Sequence, residues 1–350
     1  MDSEPIEGSQ GLVIENGVVI SLGTCSDVNV VIPSVYEGQP VTKIYADAFE
    51  PLWMDLILSS DSRVWDDYVE TIADKVVSVY IPASVTVIDT GSFTDCSSLE
   101  NIYVAEGNPN YMSLDGVMYS KDLKKLIQYP CAKADEKFEI PDGTETIEDN
   151  AFYRTSNLKH LTIPASVNYM RTWMLFASPN IESISVDKNN KFYSSVDGVL
   201  YSKDQKTLYS YPAAKAGDSF TVPNGVVIIG QDAFYNSKNL VSVSLPDTVS
   251  TIKKGAFMSS DKLQNIDLGN SVSVIEGNAF CSCKFLESIT IPTSVTYLDS
   301  STFTLCDSFT DIHYEGTLLQ WNNIDKDDSF LTHYGPIKVH CSDGTTEYYY

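Results

Sequence analysis

The sequence predicts an α/β repeat protein, a right-handed solenoid with a parallel β ladder, built from 23-residue units and two 36-residue β-hairpin variants. Three observations predict this fold. Prolines recur at fixed spacings, apolar residues recur at fixed offsets from those prolines, and two longer segments match each other. A chain of 350 residues would otherwise suggest two or three domains, but an internal repeat overrides that estimate.

The repeating unit is marked by a proline, and one glycine takes the same place. The markers are Pro82, Pro141, Pro164, Pro223, Pro246, Gly269 and Pro292. Eleven residues after each marker the chain has Phe six times and Leu once. Six residues after each marker it has Ile five times, Met once and Leu once. Agreement among seven units at fixed apolar positions is far beyond what composition alone produces.

Each unit contains one predicted strand and one predicted turn. The segment before each marker alternates apolar and polar residues and is rich in Ile and Val, which predicts a short strand. The Ala-Phe stretch is too short for an independent helix and predicts a turn or a 3₁₀ segment. Such a unit cannot bury its apolar face alone, so we expect the units to stack around one core. In that core we expect Phe234, Phe257 and Phe280 to form a stacked ladder.

The two 36-residue variants lie within 105–141 and 187–223 and contain SLDGVMYSKDLKKLIQYP and SSVDGVLYSKDQKTLYSYP. Each has a strand, a polar turn at Lys121-Asp122 or Lys203-Asp204, and a second strand, which predicts a β-hairpin. We therefore interpret these segments as elongated turns of the solenoid.

Both ends of the chain depart from the repeat, as terminal repeats must in order to present a polar outer face. We predict a single domain over 1–350. Its parts are an N-terminal capping hairpin at 11–32 around Asn16-Gly17, an irregular first unit at 33–81, regular repeats at 82–314 and a C-terminal cap at 315–350. The first unit carries an acidic run at 61–74, which we interpret as a solvated face, with a calcium site as the less favoured alternative.

Several units are similar to a known repeat family. Residues 140–163, IPDGTETIEDNAFYRTSNLKHLTI, and 291–312, IPTSVTYLDSSTFTLCDSFTDI, resemble the BspA-like subgroup of leucine-rich repeats. The closing EGTLLQWNNI at 315–324 resembles the C-terminal cap of that family. The resemblance covers roughly residues 30–341. It implies a leucine-rich-repeat solenoid that acts as a cell-surface or secreted binding and adhesion module, with host matrix or surface proteins or glycans as partners. The alternative is a structural solenoid spacer without its own ligand.

Composition excludes several other classes. The chain has 47 Asp and Glu against 23 Lys and Arg, a formal net charge of −24. This excess argues against nucleic acid and against an anionic membrane surface as partners. The sequence contains no run of 18 apolar residues, so it predicts no transmembrane helix. The first ten residues, MDSEPIEGSQ, lack the features of a secretory signal. We therefore expect either a cytosolic protein or, as the resemblance implies, an extracellular or cell-surface protein whose signal was removed.

No residue pattern predicts catalysis, a cofactor or a metal site. The sequence has no G-x-S-x-G elbow, P-loop or EF-hand loop, and its seven cysteines include no C-x-x-C pair. His160 and His313 fall on turns far apart. The position 14 residues after each marker holds only Cys, Ser or Thr, which predicts a small interior side chain. A disulfide or metal pair at Cys283 and Cys306 is the less favoured alternative.

The candidate partner-binding residues are aromatic and belong to the two longer variants or lie beside them. They are Tyr119, Trp173, Tyr201 and Tyr209. Tyrosine offers rigid amphipathic area, whereas the outward strand positions hold mainly Ser, Thr and Asn. In a competing interpretation the tyrosines close the wider core of the longer turns, and Trp173 packs under the neighbouring hairpin. Outward positions such as Ser183, Ser242 and Asp267 would then be the better candidates.

Overall fold

The structure is a computed structural model that describes residues 7–46, 48–49, 73–94, 96–170, 174–175, 177–331 and 335–349. The chain divides into two compact units, each a β-solenoid of parallel ladders. Unit 1 comprises Met1–Glu136, Gly143–Leu158 and Tyr169–Ser178. Unit 2 comprises Lys137–Asp142, Lys159–Asn168 and Pro179–Tyr350. The predicted single domain and its internal boundaries stay predictions.

A typical turn of the solenoid contributes a long strand and a short strand, and each pairs in parallel with its counterpart on the next turn. In unit 1 the long strands are Asn29–Val31, Ser78–Ile81 and Asn101–Val104. The short strands form two ladders, Val18–Ser21, Lys43–Ile44 and Val87–Ile88, then Lys125–Gln128, Thr146–Ile147 and Tyr169–Met170. Two antiparallel additions are Val13–Glu15 against Val18–Ser21 and the small pair Val35–Tyr36 with Gln39–Pro40.

Unit 2 repeats this arrangement over more turns. Its long strands are Lys137–Glu139, His160–Ile163, Ser183–Val186, Ser219–Thr221, Ser242–Ser244, Asn265–Asp267, Ser288–Ile291, Asp311–Tyr314 and Ile337–Cys341, with Gly344–Tyr348 antiparallel at the end. Its short strands are Thr207–Ser210, Ile228–Ile229, Thr251–Ile252, Val274–Ile275, Tyr297–Leu298 and Asp325–Lys326. The apolar residue of each short strand keeps its register, so that Ile229 pairs with Ile252 and Ile252 with Ile275.

The α/β part of the predicted class is not supported. Within the described residues the helical elements are one α-helix, α1 (Leu318–Asn322), and one 3₁₀ turn at Ala73–Lys75. No helix in the described part of the chain is long and apolar enough to cross a membrane. The Ala-Phe stretches are turns because so few residues cannot repay the cost of nucleating a helix. The predicted hand of the solenoid and its unit lengths stay predictions.

The phenylalanine of successive turns forms a stacked core in unit 2, as predicted. The rings of Phe234 and Phe257 have centroids 4.8 Å apart, and those of Phe257 and Phe280 are 5.2 Å apart. Phe303 extends the stack at 5.6 Å from Phe280. All four side chains are completely buried. The parallel register places the same side chain on every turn, so this core continues from turn to turn.

The two longer variants are three-stranded meanders and not simple hairpins. The predicted turn at Lys121-Asp122 connects Val117–Ser120 to Lys125–Gln128, and Tyr111–Leu114 adds a strand before them. In unit 2 the corresponding strands are Tyr193–Val196, Val199–Ser202 and Thr207–Ser210. We call these segments the first and second meander.

The tip of the first meander covers the last long strand of unit 1. The backbone amide of Ile102 donates to the carbonyl oxygen of Gly116 at 2.9 Å, and the amide of Val104 donates to Ser113 Oγ at 3.1 Å. Gly116 has φ of 78°, and a Cβ there would lie 2.3 Å from Asn101 Oδ1. Only glycine fits this close approach. The meander therefore satisfies an exposed strand edge that would otherwise be open to another chain.

The two ends are closed by different elements. Asn16 and Gly17 have positive φ values of 49° and 76° and form the predicted hairpin turn. At the other end Thr317 caps the helix α1 through a capping box with Gln320. Trp321 on this helix is completely buried, and its Nε1 donates to the hydroxyl of Tyr348 at 2.9 Å.

Candidate functional site

Two of the predicted partner-binding tyrosines lie in the core. Tyr119 is 1% exposed and Tyr201 is 2% exposed. Each belongs to the central strand of its meander, so neighbouring strands cover both of its edges. Burial raises the pKa of the Tyr201 hydroxyl to about 12, and the nearby charge of Asp197 adds to the shift. Their burial favours the competing interpretation, in which these two side chains close the wider core of the longer turns, and their role in partner contact stays a prediction.

The other two predicted residues have different outcomes. Tyr209 is half-buried and lies edge-on to Tyr193 with ring centroids 6.0 Å apart. Its role in binding stays a prediction. Trp173 lies outside the described residues, as do all members of the acidic run before Asp74. Asp74 itself is buried and accepts a hydrogen bond from Ser97 Oγ at 2.8 Å.

The position 14 residues after each marker, which holds only Cys, Ser or Thr, lies in the interior, as predicted. Every residue at this position is buried, namely Cys96, Thr155, Ser178, Ser237, Ser260, Cys283 and Cys306. Cys283 Sγ donates to the carbonyl oxygen of Phe257 at 3.1 Å, and Cys306 Sγ donates to that of Phe280 at 3.0 Å. Ser260 makes the equivalent bond to Phe234 at 2.7 Å. These residues thus serve the core, and no disulfide joins Cys283 to Cys306 in the described chain.

Three of the four histidines lie in the part of the chain that the structure describes, and they occupy two places in unit 2. His160 Nδ1 lies 2.9 Å from Ser183 Oγ. His313 stacks on His340 with ring centroids 5.1 Å apart, and His340 Nε2 lies 2.6 Å from Asp311 Oδ1. Hydrogen bonds from Thr310 and then from His340 lower the pKa of the Asp311 carboxyl. Among the residues that the structure describes, no three His, Cys, Asp or Glu are grouped to hold a metal ion.

The outward face of the long strands in unit 1 carries aromatic residues that the sequence analysis did not combine. Val31 pairs with Tyr80, and Tyr80 pairs with Tyr103. Tyr103 is 48% exposed and Tyr80 is partly exposed. We call Tyr80 and Tyr103 the aromatic row. Tyr80 was missed because it lies in the irregular first unit. Tyr80 lies two residues before the marker Pro82, and this spacing could have identified it as an outward strand position.

A cavity of about 230 Å³ lies beside the first meander, and we call it the meander cavity. Its lining combines apolar and polar side chains. The residues are Ile88, Asp89, Thr90, Gly91, Ser92, Phe93, Tyr111, Met118, Ser120, Lys125, Ile127, Gln128, Glu148 and Asp149. The amide of Ile88 donates to the hydroxyl of Tyr111 at 3.0 Å. A side chain of the meander therefore takes the place of a ladder carbonyl, and the short-strand ladder is interrupted here.

Ion pairs balance two carboxylates of the meander cavity. Asp89 Oδ2 lies 2.8 Å from Lys43 Nζ, and Glu148 Oε1 lies 3.3 Å from Lys125 Nζ. Gln128 is 5% exposed, and its Nε2 donates to the carbonyl oxygen of Tyr129 at 3.2 Å. The sequence offered no signal for this cavity, because its residues come from three separate turns.

Comparison with known families gives one match over most of the chain. A family model for the BspA type leucine rich repeat region matches in six copies, over residues 29–127, 128–196 and 209–325. A comparison with curated proteins gives no match.

Several solved structures are similar in fold. A leucine rich cell surface protein from Faecalibacterium prausnitzii is 23% identical, with 93% of this chain and 99% of that chain covered and a TM-score of 0.50. The pneumococcal vaccine antigen PcpA is 20% identical, with 96% and 93% covered and a TM-score of 0.57. A leucine-rich repeat protein from Eubacterium ventriosum is 23% identical, with 70% and 68% covered and a TM-score of 0.51. At these identities the likeness concerns the fold.

Proposed function

Because the chain belongs to the BspA-type leucine-rich repeat family, we propose that it is a non-enzymatic binding module, secreted or displayed at a cell surface. The proposed partners are host matrix or surface proteins or glycans. The observation that carries this proposal is the aromatic row on the outward face of unit 1. It provides a contact surface with the chemistry of a binding site on a rigid scaffold.

The aromatic row has the properties of an anchor. Tyrosine is enriched among the residues that dominate binding energy at interfaces, because its ring is large and rigid and its hydroxyl reaches a polar partner. Paired residues on adjacent parallel strands lie about 4.8 Å apart. Tyr80 and Tyr103 are such a pair, so they offer one continuous surface. The corresponding face of unit 2 presents small polar residues such as Ser242 and Ser244, which anchor weakly.

The geometry of the histidines supports a role without catalysis. Among the residues that the structure describes, the pair of His340 with Asp311 is the arrangement that most resembles part of a catalytic triad. The hydroxyl that faces the other ring nitrogen is Thr345 Oγ1, at 3.4 Å from Nδ1. A nucleophile and its base are normally about 2.6–3.2 Å apart. Thr345 therefore lacks the contact that would activate it.

The proposal is tested by binding with matched tyrosine variants. Purified wild-type chain is offered to immobilised host matrix proteins and to a glycan array, beside the double variant Tyr80→Ser with Tyr103→Ser. We expect at least one partner to be retained by the wild type and its affinity to fall at least tenfold in the variant, with an unchanged melting temperature. Tyr169→Ser is the control, because Tyr169 is also 48% exposed in unit 1 but lies on a short strand.

Two results would contradict the proposal. Equal loss of affinity in Tyr169→Ser would mean that the aromatic row is not the contact surface. Binding to no member of either panel would favour the alternative, a spacer without its own ligand.

A further inference from the structure

We infer that the meander cavity of unit 1 binds one neutral sugar ring, a pyranose at the end of a glycan. This inference rests on the proposed binding role, but it concerns a site separate from the aromatic row. The two sites share no residue, so each can be tested while the other is intact.

The cavity is held open by the backbone. Ile88 ends one short-strand ladder, and the strand Tyr111–Leu114 of the meander follows it without pairing to it. The Tyr111 hydroxyl accepts the hydrogen bond of the Ile88 amide instead. The side chain of a tyrosine thus spans a gap that a ladder strand would have closed.

The interior of the cavity has an amide oxygen to offer. Gln128 lines the cavity and is 5% exposed, and its amide nitrogen is occupied by the carbonyl oxygen of Tyr129. Its Oε1 has no hydrogen-bond partner among the described residues. This oxygen keeps accessible surface in the cavity, so a ligand hydroxyl can donate a hydrogen bond to it. Gln128 therefore points to a ligand that donates hydrogen bonds.

The rest of the lining matches the two faces of a sugar ring. Ile88 and Ile127 are partly exposed and supply apolar surface, which suits the C–H groups of a pyranose. Carboxylate oxygens of Asp89 and Glu148 accept hydrogen bonds from hydroxyl groups at the rim. Pockets for small ligands are typically apolar with a few placed polar groups of this kind.

Charge and size narrow the class of ligand. The lining contains three carboxylates and one lysine, so it repels an anionic sugar such as a uronic acid. Asp89 and Glu148 are already paired with Lys43 and Lys125, so a cationic ligand would have to compete with both ion pairs. The volume of about 230 Å³ lies below the roughly 300–1,000 Å³ of pockets for drug-sized ligands, which favours a single ring.

The second meander provides a natural comparison. Its sequence matches the first, but it has Tyr209 where the first has Ile127, and Ser210 where the first has Gln128. The ring of Tyr209 packs edge-on against Tyr193, which corresponds to Tyr111. The protein thus already uses a tyrosine at the position that, in the first meander, borders the cavity. Ile127→Tyr and Gln128→Ser are therefore variants that a meander is known to accommodate.

The experiment uses the full chain and the methyl pyranosides of glucose, galactose, mannose and N-acetylglucosamine as probes, each at millimolar concentration. Binding is followed by saturation-transfer NMR, with glucuronic acid as the anionic comparison. We expect at least one neutral probe to bind and glucuronic acid not to bind. Ile127→Tyr and Gln128→Ser should each weaken binding at least tenfold, while melting temperatures stay within a few degrees of the wild type.

Ser210→Gln in the second meander is the matched control and should leave binding unchanged. The inference is overturned if no neutral probe binds the wild-type chain, or if binding survives in both Ile127→Tyr and Gln128→Ser. If the Ile127→Tyr and Gln128→Ser variants still bind a macromolecular partner through Tyr80 and Tyr103, then only the proposal of a sugar site in the cavity is wrong. The double variant of Tyr80 and Tyr103 can lose that partner and still bind the sugar probe, because the cavity is unchanged in it. The proposed interface and the proposed sugar site can therefore fail independently of each other.

Discussion

The ring of Phe257 lies parallel to the ring of Phe280, with centroids 5.2 Å apart and planes inclined by 6°. The same relationship recurs between Phe280 and Phe303, at 5.6 Å and 5°. These separations are close to the spacing of about 4.8 Å between adjacent parallel strands. The backbone ladder thus sets the distance between the rings. Each ring is in contact with the turns before and after it, so the turns of unit 2 are coupled through this stack.

Truncation of a stacked ring should therefore be costly. We expect Phe257→Ala to lower the free energy of unfolding by about 3–5 kcal/mol, because it removes a fully buried ring and leaves a cavity between two others. Chemical denaturation measures the change. Phe285→Ala is the control, since Phe285 is 55% exposed in the same unit. A loss below about 1 kcal/mol for Phe257→Ala would contradict a core position for this ring.

The repeat made the phenylalanine stack predictable, because the same residue type at the same offset must face the same environment on every turn. Tyr119 and Tyr201 were harder to place. Their strands are flanked on both sides, since Tyr111–Leu114 and its counterpart Tyr193–Val196 add a strand that the hairpin interpretation lacked. Successive side chains of a strand point to opposite faces of its sheet, yet Met118 and Tyr119 are both buried, so both faces of this strand are covered. Exposure therefore depended on what packs on each face, which spacing in the sequence does not determine.

Similar reasoning explains what else the sequence did not reveal. The meander cavity exists because Tyr111 accepts a hydrogen bond from Ile88, and nothing in the spacing of these residues indicates that contact. Tyr80 lies where the repeat is irregular, so its alignment with Tyr103 became evident only from the strand register. Periodic positions were thus predictable, and contacts at interruptions of the period were not.

Substitution of the meander tyrosines should separate core from surface. We expect Tyr201→Ser to lower the free energy of unfolding by about 3–5 kcal/mol, as for other large buried side chains. Tyr209→Ser should cost distinctly less, because Tyr209 is only half-buried. Both changes remove the same atoms from the same meander. The losses of stability measured by thermal and chemical unfolding therefore report directly on how buried each tyrosine is. Equal losses would mean that Tyr209 belongs to the core as well.

The buried cysteines should resist alkylation. Burial raises the pKa of the Cys306 thiol to about 12 and holds that of Cys283 well above its usual value. Little thiolate exists near pH 8 for either residue, and the thiolate is the reactive form. We expect iodoacetamide to modify partly exposed Cys341 first in the folded protein, followed by the buried cysteines after unfolding. Mass spectrometry of tryptic peptides gives the order, and early modification of Cys283 would contradict its burial.

Stability at low pH should depend on Asp311. The hydroxyl of Thr310 and then the ring of His340 donate to the carboxylate and lower its pKa in the folded chain. In the unfolded chain the pKa returns to about 3.9. Since the folded value is the lower one, the unfolded state binds more protons in this range. The contribution is therefore complete above about pH 4 and is lost as the pH falls through the folded pKa.

Three proteins test this pH dependence, namely the wild type, Asp311→Asn and Thr310→Val. We expect Asp311→Asn to be less stable than the wild type near pH 6, by about 1 kcal/mol or less because the carboxylate is partly exposed and solvent screens it. The two should converge once the pH lies below the folded pKa of Asp311, where both are uncharged at this position. Thr310→Val removes the first hydrogen bond, so the folded pKa should rise and the loss of stability should begin at higher pH. NMR titration of the Asp311 carboxyl gives the pKa directly. A midpoint in Thr310→Val equal to that of the wild type would contradict the role of the hydroxyl. A stability difference between wild type and Asp311→Asn that persists unchanged below the titration midpoint of Asp311 would mean that this residue acts through packing and not through its charge.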